Sequence, residues 1–215
     1  IGIITESLFN GSSEMVGHLS SAVTTFLFNM LMMKLIGIDG VAAITIIIYS
    51  QYLLTCLYMG FSMGVAPVFS FNYGKQDSIQ MKRLFKICVT FLLTVSVLVF
   101  LLSIIGGSYL AGIFASRGSN VYSITKAGFL IVPYAYLFSG LNIYSSSLFT
   151  ALSNGKLSAL ISFLRSFTFP VVGILLLPLL YGVHGIWLTM PLAEGFTFLI
   201  SFTCICKSRR TYQLF

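Results

Sequence analysis

Apolar residues run in six long segments along the chain, and short polar links separate them. The segments predict helices over about 15–35, 41–69, 84–105, 127–152, 157–180 and 185–206. An α-helix needs about 20 apolar residues to cross a membrane, and each segment reaches that length. The runs lack the strict alternation of apolar and polar residues that a membrane β-barrel requires. The pattern therefore predicts an all-α, polytopic membrane protein with six membrane-spanning helices.

Composition agrees with a lipid environment. The chain is 57% hydrophobic and only 8% charged, and its mean hydropathy is +0.98. Soluble domains carry about 25% charged residues, so a surface this poor in charge cannot be covered for contact with water. All five prolines fall inside or at the ends of apolar segments, which membrane helices tolerate because neighbouring groups satisfy the freed carbonyls.

Basic residues predict the orientation of the bundle. With six spans, both ends of the chain lie on the same side as the second and fourth links. That side holds nine of the twelve Lys and Arg residues, and the opposite side holds Lys34, Arg117 and Lys126. Since basic residues concentrate on the cytoplasmic side, we expect cytoplasmic termini in a plasma membrane, such as a bacterial inner membrane. The net charge of +7 then indicates topology and contact with membrane lipid, and no solvated basic face for nucleic acid exists.

Polar residues recur on one face of the first predicted helix. They follow one another at steps of four, three, four and four: Glu14, His18, Ser21, Thr25 and Asn29. Polar groups at membrane depth are costly unless they face protein or water, so the stripe indicates the wall of a cavity. The alternative is an interfacial cap for Glu14 and helix packing for the smaller polar side chains.

The fourth and sixth predicted helices carry further polar positions. Glu194 is the most deeply placed carboxyl group of the sequence, with either a functional role or a structural hydrogen bond to a neighbouring helix. Arg165 lies near one end of the fifth helix, and we expect its side chain to reach the cytoplasmic interface. The fourth helix presents a second stripe: Ser139, Asn142, Ser146, Thr150 and Ser153.

No enzyme motif is present. The zinc-protease, serine-hydrolase and phosphate-loop signatures are absent, and the four cysteines match no metal-ligand spacing. We therefore expect a protein that is not an enzyme and that has no cofactor. The residue types suit binding and moving a molecule instead.

Three stretches of the sequence resemble the multidrug and toxic compound extrusion (MATE) family. The cytoplasmic link between the second and third helices of that family's C-terminal half is similar to "GVAPVFSFNYGKQDSIQMKRLFK". Its last three helices resemble "LFTALSNGKLSALISFLRSFTFPVVGILLLPLLYGVHGIWLTMPLAEG". The opening helix of that C-terminal half resembles "NGSSEMVGHLSSAVTTFLFNMLM".

The resemblance implies a twelve-helix antiporter built from two six-helix lobes around a central cavity. Such a protein exports organic cations and drugs in exchange for sodium or protons. Residues 1–215 would form the C-terminal transmembrane lobe, with the N-terminal lobe of the same protein missing from this sequence. Two lobes related by an axis along the membrane normal are a known transporter architecture.

The sequence departs from the family pattern at two positions. Asn142 stands where many sodium-coupled members carry an aspartate, and Ser21 stands where they carry a glutamate. The acidic cation site of those members is therefore in doubt here. Coupling would then rest on Glu14, on Glu194 or on an acidic residue of the other lobe.

Two other interpretations stay open. A lipid-linked glycan flippase of the same superfamily would need a strongly cationic cavity, whereas the polar stripes of the first, fourth and sixth helices contain no Lys or Arg. A membrane scaffold that transports nothing would show apolar helix faces without such stripes.

Overall fold

Six helices follow one another in the computed structural model. The structure describes the backbone of residues 2–209, 211, 212 and 214. Among these residues, it describes the side chain of residue 15 and the side chains from residue 17 onward. We number them α1 to α6. Their bounds are Gly2–Leu35, Ile38–Gly74, Ser78–Phe114, Asn120–Ala151, Gly155–Tyr181 and Val183–Ser208. Each link is only a few residues long, so consecutive helices turn back along their neighbours.

Side-chain caps mark where three of the helices begin. The side-chain oxygens of Asp77, Ser119 and Asn154 accept hydrogen bonds from the backbone N–H three residues further on. Each bond satisfies one of the N–H groups that the first turn of a helix leaves without a partner. These three residues therefore define the starts of α3, α4 and α5.

The helices extend beyond the predicted membrane spans. The predicted third span stops at residue 105, whereas α3 continues to Phe114, so the link that follows is much shorter than the predicted 106–126. The prediction followed hydropathy, which falls where a helix leaves the hydrocarbon. The backbone hydrogen bonds continue past that point until Ala115 takes an extended conformation.

Two helices contain a local break next to a proline. In α4, one 3₁₀ turn at Val132–Ala135 separates two α-helical halves. In α5, a π turn at Leu164–Thr168 comes directly before Phe169 and Pro170. Proline has no backbone N–H and cannot continue the ladder of the preceding turn, which accounts for both positions.

The fourth helix lies at the centre of the bundle. Half of its most apolar stretch is buried, a larger share than in the other four candidate spans. Its aromatic residues Tyr136 and Tyr144 belong to two separate apolar clusters, one towards each end of the bundle. At Gly140 the ring of Tyr58 from α2 approaches so closely that an added Cβ would lie 2.7 Å from it. Glycine is therefore required for α2 to pack against α4.

The outer surface of the bundle is apolar. Large side chains such as Leu53, Leu102 and Leu179 are exposed at 76%, 68% and 81%. Among the described residues, five helices are long and apolar enough to cross a membrane, namely α2 to α6. The chain is a multi-pass membrane protein of all-α fold, as its sequence predicts.

Candidate functional site

A cavity of about 150 Å³ with both polar and apolar lining residues opens between α1, α2, α5 and α6. Its polar lining combines hydroxyl and amide groups with one acid and one base, and its apolar lining includes Phe28, Ile48, Pro170 and Met190. The polar lining residues are Ser21, Thr24, Thr25, Gln51, Tyr52, Thr55, Arg165, Ser166 and Glu194. A cavity of this kind in an otherwise apolar bundle is the best candidate for a binding site.

An acid, a base and an amide are joined at the wall of this cavity. The Arg165 Nε donates to Glu194 Oε1 at 2.9 Å, which forms a salt bridge between α5 and α6. The Asn142 Nδ2 donates to Glu194 Oε2 at 2.7 Å and to the Glu194 backbone carbonyl at 2.9 Å. Three helices, α4, α5 and α6, therefore meet at one carboxylate.

Pro170 follows the π turn of α5 and leaves one backbone carbonyl of that turn without its usual donor. In a regular helix, the carbonyl of Ser166 would accept from the N–H of residue 170, but Pro170 has none. Thr24 of α1 supplies the missing donor, with its Oγ1 at 2.8 Å from that carbonyl. The irregular turn that carries Arg165 is thereby tied to α1. Single π turns inside α-helices are frequent at functional sites.

The charges of the pair differ in how accessible they are. The side chain of Glu194 is 7% exposed, and that of Arg165 is 21% exposed. Both oxygens of the Glu194 carboxylate already accept hydrogen bonds. The guanidinium group is therefore the more open half of the pair.

The candidate site residues from the sequence fall into distinct places. Ser21, Thr25 and Glu194 line the cavity. Asn142 does not line it but is fully buried behind Glu194. The side chain of Asn29 is half-buried and donates to the carbonyl of Thr25 on its own helix.

Of the two remaining candidates, only His18 has a described side chain. His18 is exposed on α1 and is not a lining residue. The side chain of Glu14 lies outside the described residues. The roles of all seven candidates stay predictions.

The position predicted for Arg165 is wrong. We expected its side chain at the cytoplasmic interface, and it pairs with Glu194 instead. Two opposite charges in neighbouring apolar segments were the available signal, since charges at membrane depth are usually paired. A flippase is disfavoured by the sequence because the polar stripes contain no Lys or Arg. This reason is weaker in the structure, because the fifth helix contributes one arginine to the cavity.

The second helix contributes a wall that the sequence analysis missed. Ile48, Gln51, Tyr52 and Thr55 all line the cavity. Their spacing of three, one and three residues places them on one helix face, so the pattern was readable from the sequence. No group of His, Cys, Asp and Glu residues that could hold a metal ion occurs in the described part of the chain.

The comparisons with known proteins agree with this architecture. The MatE family model matches residues 15–178, which is most of the chain. The chain therefore belongs to the MatE family. No curated protein shows a significant match to the sequence.

Several solved structures share the fold. The Vibrio cholerae MATE transporter VcmN, in its bent form, has a TM-score of 0.81 and 22% identity over 94% of this chain and 45% of its own. An outward-facing multidrug resistance MATE transporter of the MOP superfamily has a TM-score of 0.88 and 14% identity, over 98% of this chain and 48% of its own.

A third similar structure is a MOP superfamily transporter from Pyrococcus furiosus, described by the reverse polarity of its binding pocket. It has a TM-score of 0.78 and 17% identity over 94% of this chain and 47% of its own. The chain thus spans less than half the length of each of these three transporters, as expected for a single lobe.

Proposed function

We propose that the chain is the C-terminal lobe of a secondary active transporter that exports small organic molecules in exchange for sodium or protons. The observation that carries this proposal is the polar cavity with its ion pair, placed among helices whose outer surface is apolar. The half-length match to solved MATE transporters supports the two-lobe arrangement. The N-terminal lobe would supply the facing wall of the cavity.

The membrane and the orientation belong to the same proposal. The basic bias of the sequence supports a plasma membrane with both ends of this lobe in the cytoplasm. Export would then proceed from the cytoplasm through rocking of one lobe against the other. The chain needs no enzymatic activity and no cofactor apart from the coupling ion.

Glu194 is the candidate for coupling within the described residues. It is the only acid that lines the described cavity. Organic cations, the cargo that the resemblance implies, would have to compete with Arg165 at Oε1 and with Asn142 at Oε2 of this carboxylate. A sodium ion or a proton would compete in the same way.

A flippase for lipid-linked glycans is less well supported. Such a cargo carries phosphates, for which a cavity needs several uncompensated cations. The described lining contains Arg165 alone as a base, and Glu194 balances its charge.

The test is gradient-driven efflux from cells that lack their own drug exporters. We would express residues 1–215 alone and together with a separately encoded N-terminal lobe, then follow ethidium and a fluorescein dye under imposed sodium and proton gradients. We expect export only with both lobes, and dependence on one of the two gradients. Well-expressed two-lobe protein that exports neither dye would contradict the proposal.

The lone chain provides the matched control. Alternating access requires two lobes, and these 215 residues form one. Strong efflux from residues 1–215 alone would show that the chain is a complete transporter and not half of one.

A further inference from the structure

The guanidinium group of Arg165 has unused donors that face the cavity. Its Nε donates to Glu194, and neither of its terminal nitrogens bonds to a described residue. Those two nitrogens are also not fully buried, because neither is among the buried polar atoms that lack a hydrogen-bond partner. Since Arg165 lines the cavity and is the more exposed half of the pair, its terminal N–H groups are the donors available to a ligand there.

Glu194 presents the opposite situation. Its Oε1 accepts from Arg165 and its Oε2 accepts from Asn142, which is itself fully buried. Each carboxylate oxygen has a second lone pair, but a cation that approached Glu194 would meet the positive charge of Arg165 at the same carboxylate and could replace it only by breaking a charge-assisted bond. Breaking a buried pair is costly because it leaves a charge without compensation.

The remaining polar lining is neutral. Thr25, Gln51, Tyr52 and Thr55 offer groups that both donate and accept hydrogen bonds. Ser21 already donates to the backbone carbonyl of Gly17, which leaves its oxygen as an acceptor. Arg165 is therefore the one charged donor that the described wall offers to a ligand.

We propose that the cavity binds an organic anion, with the carboxylate or another oxyanion of the ligand on the terminal nitrogens of Arg165. Glu194 and Asn142 act as positioning residues that hold the guanidinium group in this orientation. The apolar lining, including Phe28 and Met190, would contact the organic body. This inference rests on the proposed function, because it names the substrate class of the same cavity.

The size of the cavity fits the head of such a ligand. A cavity of about 150 Å³ lined by apolar groups accommodates a single benzene ring. One aromatic acid therefore matches the space, and its carboxylate matches the terminal N–H donors of Arg165. A larger substrate would place its remainder against the facing lobe.

The test compares two probes of equal size and opposite charge, benzoate and benzamidinium. Binding of each to the purified two-lobe protein is measured by ligand-observed NMR titration. We expect benzoate to bind at least about tenfold more tightly than benzamidinium, because charge-assisted hydrogen bonds are the stronger class. Arg165→Gln should remove that preference, and Arg165→Lys should retain part of it because the charge remains.

Two controls separate recognition from folding. Arg117→Gln removes an exposed arginine outside the cavity and should leave both affinities unchanged. Glu194→Gln should retain or strengthen benzoate binding, since the amide oxygen of Gln can still accept from the Arg165 Nε while the negative charge beside the guanidinium group is removed. The folding of each variant is checked by comparing its size-exclusion profile with that of the unsubstituted protein.

The opposite results would overturn the inference. They are tighter benzamidinium binding that Glu194→Gln abolishes, an unchanged benzoate affinity in a folded Arg165→Gln variant, or no binding of either probe to the folded protein. Gradient-driven ethidium export together with any of these results would leave the proposed function standing. A benzoate preference without export of any dye would support the anion site and contradict the transport proposal.

Discussion

Asn142 donates its amide group to two oxygens of Glu194, at 2.7 Å for the side-chain carboxylate and at 2.9 Å for the backbone carbonyl. Asn142 of α4 thus fixes both the side-chain rotamer of Glu194 and the position of the Glu194 backbone along the bundle axis. An aspartate at this position could not donate either bond. The amide at residue 142 is therefore matched to the acid at residue 194.

We predict that Asn142→Leu destabilises the protein by about 2 kcal/mol, because it removes both bonds that the amide donates to Glu194 and leaves the buried Oε2 without a described donor. The free energy of unfolding is measured by titrating SDS into mixed micelles. Asn29→Leu is the matched control, since Asn29 bonds only to a carbonyl of its own helix, and it should change little. Equal effects of the two substitutions would contradict the structural role assigned to Asn142.

The bond from Thr24 to the π turn gives a second prediction. Thr24→Val removes the hydroxyl donor to the Ser166 carbonyl and should cost about 1 kcal/mol of unfolding free energy. Thr25→Val changes the adjacent residue, which makes no described hydrogen bond through its hydroxyl, and serves as the control.

The same bond predicts a coupling between two helices. Pro170→Ala restores a backbone N–H that could serve the Ser166 carbonyl, so Thr24→Val should cost less in that background. A double-mutant cycle measures the difference. An identical cost of Thr24→Val in both backgrounds would show that the carbonyl does not depend on Thr24.

Much of this fold was predictable because its strongest signal is local. Apolar runs of membrane length defined six helices, and the structure contains six. Helix ends were less predictable, because a helix continues through the interface where hydropathy has already fallen. The end of α3 at Phe114 illustrates the difference between a membrane span and a helix.

The site was predictable only in part, because its central contact joins residues that are distant in sequence. Glu194 stood out as a carboxyl in an apolar segment. Arg165 did not, since an arginine near a helix end is equally compatible with the membrane interface. Its partner Glu194 lies on the next helix, and the periodicity of one helix gives no signal for a pairing with another.

The orientation of the bundle can be tested by labelling. Gln76 lies in the exposed turn between α2 and α3, and Ser116 lies in the link after α3. After replacement of the four native cysteines, we expect Gln76→Cys to react with a membrane-impermeant maleimide only from the cytoplasmic side. We expect Ser116→Cys to react only from outside. The reverse pattern would invert the proposed topology, and labelling of both from one side would contradict a spanning α3.

The end of the chain is tied to the rest of the bundle through Tyr212. Its ring lies edge-on against Tyr73 of α2 at 5.6 Å and against Phe149 of α4 at 6.3 Å between centroids. Its hydroxyl accepts a hydrogen bond from Asn154 Nδ2 at 2.9 Å. Asn154 also caps α5. The side chain of Tyr212 therefore connects the ends of α2, α4 and α5.

We predict that these two contributions of Tyr212 can be separated. Tyr212→Phe keeps the ring and loses the hydrogen bond, which should cost about 1 kcal/mol of unfolding free energy. Tyr212→Ala also loses the buried ring and should cost about 3 kcal/mol or more. Tyr109→Ala, which removes a ring that is 69% exposed, is the control and should have little effect. If Tyr212→Ala were as mild as Tyr109→Ala, the ring would not hold these helix ends together, and their packing would have to come from the apolar cluster beneath them.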